Sequence, residues 1–391
     1  MPRGKEPRRI GLLISRLAPF MAAALVLSIC SSCGRQGASS PREANSKTAP
    51  APAKSTRRDP AQYDFAAVDR ILEEAAAQLG GCALILIKDD SVIYQKAFGR
   101  YSVDKVVPIA SASKWLSGAV IVSLLEEGRL ALDDPVSKYL PEFEGEKGNI
   151  TIRQLFSHTS GLPPEATCRN NKRTSLQNCA QETARLKLRS KPGEEFYYGG
   201  VSMHVGGRIA EIVTAKPWNQ LFVERIASPL GMTATDFYAY GETENPRPAG
   251  DARSSAADYG LFLQMILNQG KFGGRQVLSP ESLVEMHRDQ TSGARIAYTI
   301  YEKHGRLDPA LPRARYGIGV WREKFDEHTG DLLEASSQGA LGFSPWIDVK
   351  RSLAGVLSVQ SSMSRVMPVY VRLKEEVRRV VPENNKNSIL R

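Results

Sequence analysis

Ile109-Ala110-Ser111-Ala112-Ser113-Lys114-Trp115-Leu116 opens the stretch that decides the fold, and an apolar run continues through Val120, Ile121, Val122, Leu124 and Leu125 to Gly128. From Ser111 to Leu125 the run is apolar nearly all round, which predicts a helix buried inside a domain. It ends near Gly128. Residues three apart share a helix face, so the Ser111 hydroxyl and the Lys114 ammonium are predicted to be neighbours in the first turn. The helix N-terminus adds partial positive charge, which favours an alkoxide. A buried lysine loses proton affinity and can act as a base. Those are the requirements of an activated nucleophile. The four-residue pattern recurs by chance: Ser102-Val103-Asp104-Lys105 has it too. That copy lies between a strand and Pro108 with no helix after it, and reads as a solvated loop.

Around this helix the chain reads as an α+β fold. Phe65, Val68, Ile71, Leu72 and Ala75 recur at helical spacing, and Gly80-Gly81 stops that helix. Two strand-like runs follow, Ala83 to Lys88 and Val92 to Phe98, with Asp89-Asp90-Ser91 as the hairpin turn. The middle of the chain, to about residue 290, reads as helices and loops. Ser255-Ala256-Ala257-Asp258 fits a helix capping box. Strand patterns return from Tyr316 to Val359, and Met367 to Val381 closes with an amphipathic helix. No fixed-period repeat is present.

The N-terminus lies outside this domain. Arg3, Lys5, Arg8 and Arg9 precede an apolar stretch within Leu17 to Ile29, and Ser31-Ser32-Cys33-Gly34 follows. Residues 1–33 therefore read as an export signal, too short in its apolar run for a comfortable membrane span. Ser-Ser-Cys-Gly has the form of a bacterial lipoprotein cleavage site, which makes Cys33 the lipidation candidate, although Cys30 stands where such signals usually carry Leu. The expected location is exported, in the periplasm or cell envelope, with membrane contact only through a lipid anchor. Residues 34–61 are rich in Ala, Pro, Ser, Arg and Lys without apolar periodicity, and read as a disordered tether. The domain then spans 62–381, and 382–391 is a C-terminal tail.

Cysteine usage agrees with export. Cys168 and Cys179, eleven positions apart in a polar, insertion-like stretch, are the disulfide candidate in an oxidising compartment. Cys82 opens an apolar run and reads as a buried strand residue. The folded part has no CxxC or Cys/His cluster, so no metal site is expected. With 52 Lys and Arg against 42 Asp and Glu the net charge is +10, but it is spread along the chain. A nucleic-acid footprint would be a concentrated stripe with interleaved aromatics, so no nucleic-acid partner is expected.

Further landmarks follow the nucleophile helix in order. They are Asp133-Asp134-Pro135-Val136-Ser137-Lys138-Tyr139-Leu140-Pro141, Leu155-Phe156-Ser157-His158-Thr159-Ser160-Gly161-Leu162-Pro163 and Pro229-Leu230-Gly231-Met232. Leu278-Ser279-Pro280-Glu281-Ser282 and Tyr316-Gly317-Ile318-Gly319 complete them. Together with the Ser111 segment they make residues 65 to 380 resemble the β-lactamase-related serine hydrolases, which include class C β-lactamases, DD-peptidases and some esterases. The resemblance implies a mainly antiparallel sheet flanked by terminal helices, a helical subdomain beside it, and a cleft between the two. It implies a serine nucleophile and no cofactor; a monomer is expected. His158 falls in a stretch that is chiefly structural in this family, and reads as bracing a turn.

The family's second motif is Tyr-x-Asn. Matching Pro192-Gly193 and Phe196 places Tyr198 at the tyrosine position, with Tyr197 as the neighbouring alternative, and Gly200 replaces Asn. In the family's scheme the tyrosine is a proton acceptor, because nearby ammonium charge favours a phenolate. The third motif is Lys-Thr-Gly or His-x-Gly. His328-Thr329-Gly330 matches the letters but reads as a hairpin turn. Ser337-Gln338-Gly339 matches the position, and Ser337 then replaces the usual cation. Gly200, Ser337, Gln338 and Gly339 are thus the substrate-binding candidates. The backbone N–H groups of Ser111 and Ala340 are the expected oxyanion hole. Loss of the cation argues against a strong preference for carboxylate-bearing β-lactams, and leaves esters and neutral acyl compounds more open. The expected partner is a small-molecule or peptide acyl substrate. The competing reading is a catalytically impaired, envelope-tethered protein that binds cell-wall peptide without turnover.

Overall fold

The computed structural model describes residues 63–303 and 315–384. The proposed export signal, the lipidation candidate Cys33, the tether 34–61 and tail residues 385–391 lie outside the described residues. Helix α1 (Ala66–Leu79) buries Val68, Ile71, Leu72 and Ala75 and ends at Gly80, whose φ of 84° gives the left-handed cap that only glycine takes without strain. Strand β1 (Gly81–Lys88) follows, buried at all eight positions, then β2 (Ser91–Gly99). Ser91 already pairs with Lys88, so the hairpin turn is the two residues Asp89-Asp90, one shorter than expected, with Asp89 at φ 52°. A two-residue hairpin needs positive φ, which Asp tolerates better than most residues.

The helical part contains α2 (Ser113–Glu126), α3 (Leu176–Arg185), α4 (Val201–Thr214), α5 (Ala256–Leu267) and α6 (Pro280–His287). Ser255 caps α5 through the Asp258 N–H at 3.0 Å. The Asp258 carboxylate turns instead to the Ala234 N–H and the Thr235 hydroxyl, so half of the expected capping box forms. Strands β3 (Arg315–Tyr316), β4 (Trp321–Phe325), β5 (Leu332–Ser336), β6 (Ser344–Asp348) and β7 (Leu353–Ser358) complete the sheet. The closing helix α7 (Met363–Val380) begins a turn earlier than the sequence pattern predicts and carries Pro368 inside it.

The seven strands are antiparallel throughout, in the order β2-β1-β7-β6-β5-β4-β3. Alternation along β1 sends Leu84 and Leu86 to one face and Ile85 and Ile87 to the other, and both faces are covered. The first face packs on α1 and α7, which lie side by side. The second face joins the helical part in one continuous core. This is the α+β arrangement that the resemblance implied, an antiparallel sheet flanked by terminal helices with a helical part beside it.

Helix α2 lies at the heart of that core. Twelve of its fourteen residues are buried, including Trp115, Leu116, Val120, Ile121 and Leu124. Burying each large apolar side chain contributes roughly 1.5–3 kcal/mol, which holds the helix against its surroundings on every side. Gly118 and Gly319 let the Tyr316-Gly317-Ile318-Gly319 segment cross it closely. A Cβ at Gly118 would stand 2.1 Å from the Ile318 carbonyl oxygen, and one at Gly319 2.2 Å from that of Lys114. Trp115 is core, edge-on to Phe262 and His287, and Trp346 packs on the sheet against Tyr370. Cys82 is buried in β1, and burial pushes its thiol up to about 12, so it is inert as a nucleophile. No helix among the described residues is long and apolar enough to cross a membrane.

Candidate active site

Ser111 does not sit in α2 itself. Ala110–Ala112 form a 3-10 turn, and the α-helix begins at Ser113. A 3-10 turn eclipses positions i and i+3, so the predicted pairing survives the change of helix type. Lys114 Nζ donates to Ser111 Oγ at 3.1 Å and to the Ala249 carbonyl at 2.9 Å. Ala110 adopts φ 46°, a conformation that costs energy for a residue with a Cβ. Two bonds hold it there: Ser113 Oγ donates to the Ala110 carbonyl at 2.6 Å and accepts from the Ala252 N–H at 3.0 Å. The other Ser-x-x-Lys copy is a loop, in which Lys105 covers the Tyr101 ring at 4.0 Å.

Tyr198 follows the short strand Glu195–Tyr197, which pairs in parallel with Arg295–Tyr298. Its ring lies under the Lys114 ammonium at 4.7 Å and stacks on Trp321 at 5.0 Å. Ser111 lies on the side of the Tyr198 hydroxyl and lowers its pKa, against the larger effect of burial. Tyr197 points elsewhere, between the Arg189 guanidinium at 3.9 Å and the Tyr298 ring at 5.0 Å. Ser111, Lys114 and Tyr198 therefore form one cluster. His158 backs it, its ring 4.6 Å from that of Tyr198 and 4.8 Å from that of Tyr316. Neither ring nitrogen of His158 has a hydrogen-bond partner among the described residues, and burial followed by the Lys114 charge holds its pKa well below the ordinary value. It is a neutral brace with no proton relay attached.

Ser337-Gln338-Gly339 follows β5 and borders the cluster. His328-Thr329-Gly330 is the β4–β5 hairpin turn, closed by Asp326 and Asp331. Ser337 Oγ donates to the Ser111 carbonyl at 3.1 Å, so it braces the nucleophile's backbone. Gln338 departs from its expected role as a substrate contact. It is buried, bonded to the Glu323 carboxylate and, at 3.0 Å, to the Tyr301 hydroxyl. Strand alternation puts Ser337 and Gln338 on opposite faces, and the core side offered Gln338 a charged acceptor. Gly339 is required by close approach, since a Cβ there would stand 2.1 Å from the Ile109 carbonyl oxygen. The turn's bonds run from the Gly339 N–H to Phe343 (2.7 Å) and from the Gly342 N–H to Gly339 (2.8 Å), which leaves the Ala340 N–H out of them. Gly339→Ala will force this turn away from Ser111. Acylation by an active-site probe is expected to fall about a hundredfold, as for loss of one oxyanion donor, with the thermal midpoint of unfolding shifted far less. A rate within threefold of the parent would show that this turn does not serve the reaction.

The electrostatics differ from the family's scheme. Burial lowers the Lys114 pKa well below its ordinary value, and the Arg169 and Arg247 charges push it further, against Glu165. Burial raises the Tyr198 phenol, outweighing its contact with Ser111. Tyr198 is thus a neutral phenol, not the expected phenolate, and Lys114 is the group able to accept a proton.

Sequence reading did not find Arg169. It stands where a side chain at position 200 would be: a Cβ on Gly200 would meet Arg169 Nε at 2.9 Å and Cζ at 3.2 Å. The available signal was its place beside Cys168, which is bonded to Cys179 with an S–S distance of 2.11 Å. Nor did sequence show the buried cluster beneath Gln338, where Lys374 of α7 bonds Glu323 at 2.5 Å and Glu334 at 2.8 Å. Among the described residues no group of His, Cys, Asp or Glu is arranged to hold a metal ion.

Comparison with known proteins fits this geometry. The family model described as Beta-lactamase matches residues 68–366. A crystal structure of a candidate beta-lactamase from Bacteroides dorei DSM 17855 superposes with a TM-score of 0.73 and 36% identity, covering 81% of this chain and 99% of that one. EstCE1, a hydrolase with promiscuous acyltransferase activity, shares the fold with a TM-score of 0.65 and 20% identity, over 79% of this chain and 97% of that one. Protein flp of Staphylococcus aureus (strain N315) is 33% identical over 187 residues, which cover 44% of this chain and 38% of that protein. The chain thus spans well under half the length of that relative.

Proposed function

Because this chain belongs to the beta-lactamase family, whose members are generally hydrolytic serine enzymes, we propose that it is a serine hydrolase working through an acyl-enzyme at Ser111. The substrate is an ester or amide of the kinds that esterases, β-lactamases or D-amino-acid peptidases cleave. The observation that carries the reading is the 3.1 Å contact between Ser111 Oγ and the Nζ of a buried lysine whose proton affinity is depressed. Lys114 takes the hydroxyl proton as Oγ bonds to the acyl carbon. The oxyanion takes hydrogen bonds from the N–H groups of Ser111 and Ala340. As the tetrahedral species collapses, the bond to the leaving group breaks. The proton passes to that group from Lys114 through the Tyr198 hydroxyl. Water then attacks the ester of Ser111, returns a proton to the pair and releases the acid.

A second reading, a tethered binder of cell-wall peptide without turnover, is favoured by Gly200 and Ser337. Location in the cell envelope, with Cys33 lipidated, is proposed with either reading. The separating experiment treats residues 62–391 with a fluorescent penicillin and, separately, a fluorophosphonate. The adduct is located by peptide mass mapping. The hydrolase reading expects one adduct, on Ser111. An adduct on another residue overturns the assignment, and a folded protein without any adduct favours the binder.

A further inference from the structure

The third motif lacks its cation, yet the site does not lack positive charge. Arg169 lies in the 3-10 turn Thr167–Asn170. That turn is fastened on both sides. Cys168 is bonded to Cys179 on α3, the Cys168 N–H donates to Glu182 at 3.0 Å, and Asn245 Nδ2 donates to the carbonyls of Cys168 and Asn171 at 2.9 and 3.0 Å. The Gly200 N–H reaches the Pro164 carbonyl at 3.3 Å, so the segment leading to Arg169 lies against the second motif. With no side chain at Gly200, the guanidinium occupies that space.

The neighbouring cations are already matched. Arg247 and Lys172 both pair with the fully buried carboxylate of Asp251. Among the described residues Arg169 pairs with Glu165 alone, whose side chain is 67% exposed. Its Nε is buried without a hydrogen-bond partner among the described residues. A guanidinium with one solvent-exposed, exchangeable partner and one unmet N–H is suited to a planar anion, which it can take with two parallel hydrogen bonds.

We propose that Arg169 is the specificity-determining residue of this site, binding a carboxylate that the substrate carries beside the scissile ester or amide bond and displacing Glu165 as it does so. This rests on the hydrolase reading above. The site would recover, from the disulfide-closed segment, the anion recognition that Ser337 does not supply. The guanidinium fills the space at Gly200, two residues from Tyr198, and its charge lowers the pKa of both Lys114 and Tyr198.

The test uses two matched ester pairs, each an anion and its methyl ester: 3-acetoxybenzoate, with the charge on the leaving group, and mono-4-nitrophenyl adipate, with the charge on the acyl group. The measured quantity is the ratio of kcat/KM for anionic over neutral ester within each pair, so a general effect on Lys114 cancels. In at least one pair Arg169→Gln is expected to lower the ratio about tenfold or more, the loss typical of a hydrogen bond to a charged group. Arg169→Lys should retain part of it. Glu165→Gln, which removes the competing carboxylate, should raise it. Equal losses on both members of each pair, or a ratio unmoved by Arg169→Gln, would overturn the assignment. If wild type hydrolyses none of the four esters and forms no Ser111 adduct, the hydrolase reading itself falls and this one with it.

Discussion

Lys114→Met will slow acylation of Ser111 about a thousandfold at neutral pH, within the range for loss of a general base. Methionine matches the length of lysine and its tolerance for burial, but accepts no proton. The fold should survive, because the lysine stands where burial penalises its charged form. Against that, the Ala249 carbonyl loses a donor. Acylation followed by intact mass, beside a thermal melt, measures both effects. A rate within tenfold of wild type would remove Lys114 from the mechanism.

The pH dependence follows from the same residue. Neutral lysine is the competent form, so the acylation rate should rise with pH through the lowered Lys114 pKa and then level. Arg169 is the largest charge contribution to that lowering. Arg169→Gln should therefore move the rising limb to higher pH. Stability carries the matching sign. The folded lysine holds its proton less tightly than the unfolded one, whose pKa is near 10.5, so unfolding takes up a proton. The lysine's contribution to stability thus grows as pH rises between the two values.

The second large effect is on stability. Lys374→Met should cost about 3–5 kcal/mol, because removing one partner of a buried ion pair leaves uncompensated charge. Lys374 is buried between Glu323 and Glu334, at 2.5 and 2.8 Å, with Arg378 on the far side of Glu334 at 2.6 Å. The Lys374 and Arg378 charges overcome desolvation and hold Glu334 at about 2, below its ordinary 4.5. The two carboxylates hold Lys374 well above 10.5 against its own burial. The wild-type contribution is thus complete between about pH 4.5 and 10.5. It is lost as pH falls toward 2 through Glu334, or rises through the elevated Lys374 pKa. In the variant Glu334, buried and without the Lys374 ammonium, takes up a proton more readily, so the deficit should shrink between pH 7.5 and 5.5. Urea unfolding at both values measures this, and a deficit below 1 kcal/mol at pH 7.5 would sink the claim. Glu323 also holds Gln338, one residue before Gly339, so the variant should acylate more slowly as well.

The parts legible in the sequence are those where one chemical requirement dominates. An all-round apolar helix behind Ser111 admits only a buried position, and Lys114 meets Ser111 in either a 3-10 or an α turn. The polar run at 326–331 could only be a hairpin tip. What escaped depends on pairs distant in the chain. Gln338 looked like a cleft residue until Glu323 and Tyr301 were placed behind it. The protonation states of Lys114 and Tyr198 turn on burial and on Arg169, neither of which a local motif contains. Gly200 reads as a deletion until the guanidinium that fills its space is seen.

The strand order also governs when the domain can finish folding. Strand β1 is synthesised more than 250 residues before β7, its second neighbour, in which Ser358 stands opposite Ala83. Until that late strand arrives, β1 keeps a bare hydrogen-bonding edge on a segment that is buried at every position in the finished sheet. Such an edge is a template for pairing with other chains, and contacts this far apart in sequence form slowly. A nascent or truncated chain ending before residue 353 would carry Ser111, Lys114 and Tyr198 and still lack the strand that joins the two halves of the sheet. Keeping the β1–β2 hairpin from pairing with other chains during that interval is then a kinetic demand of the topology itself.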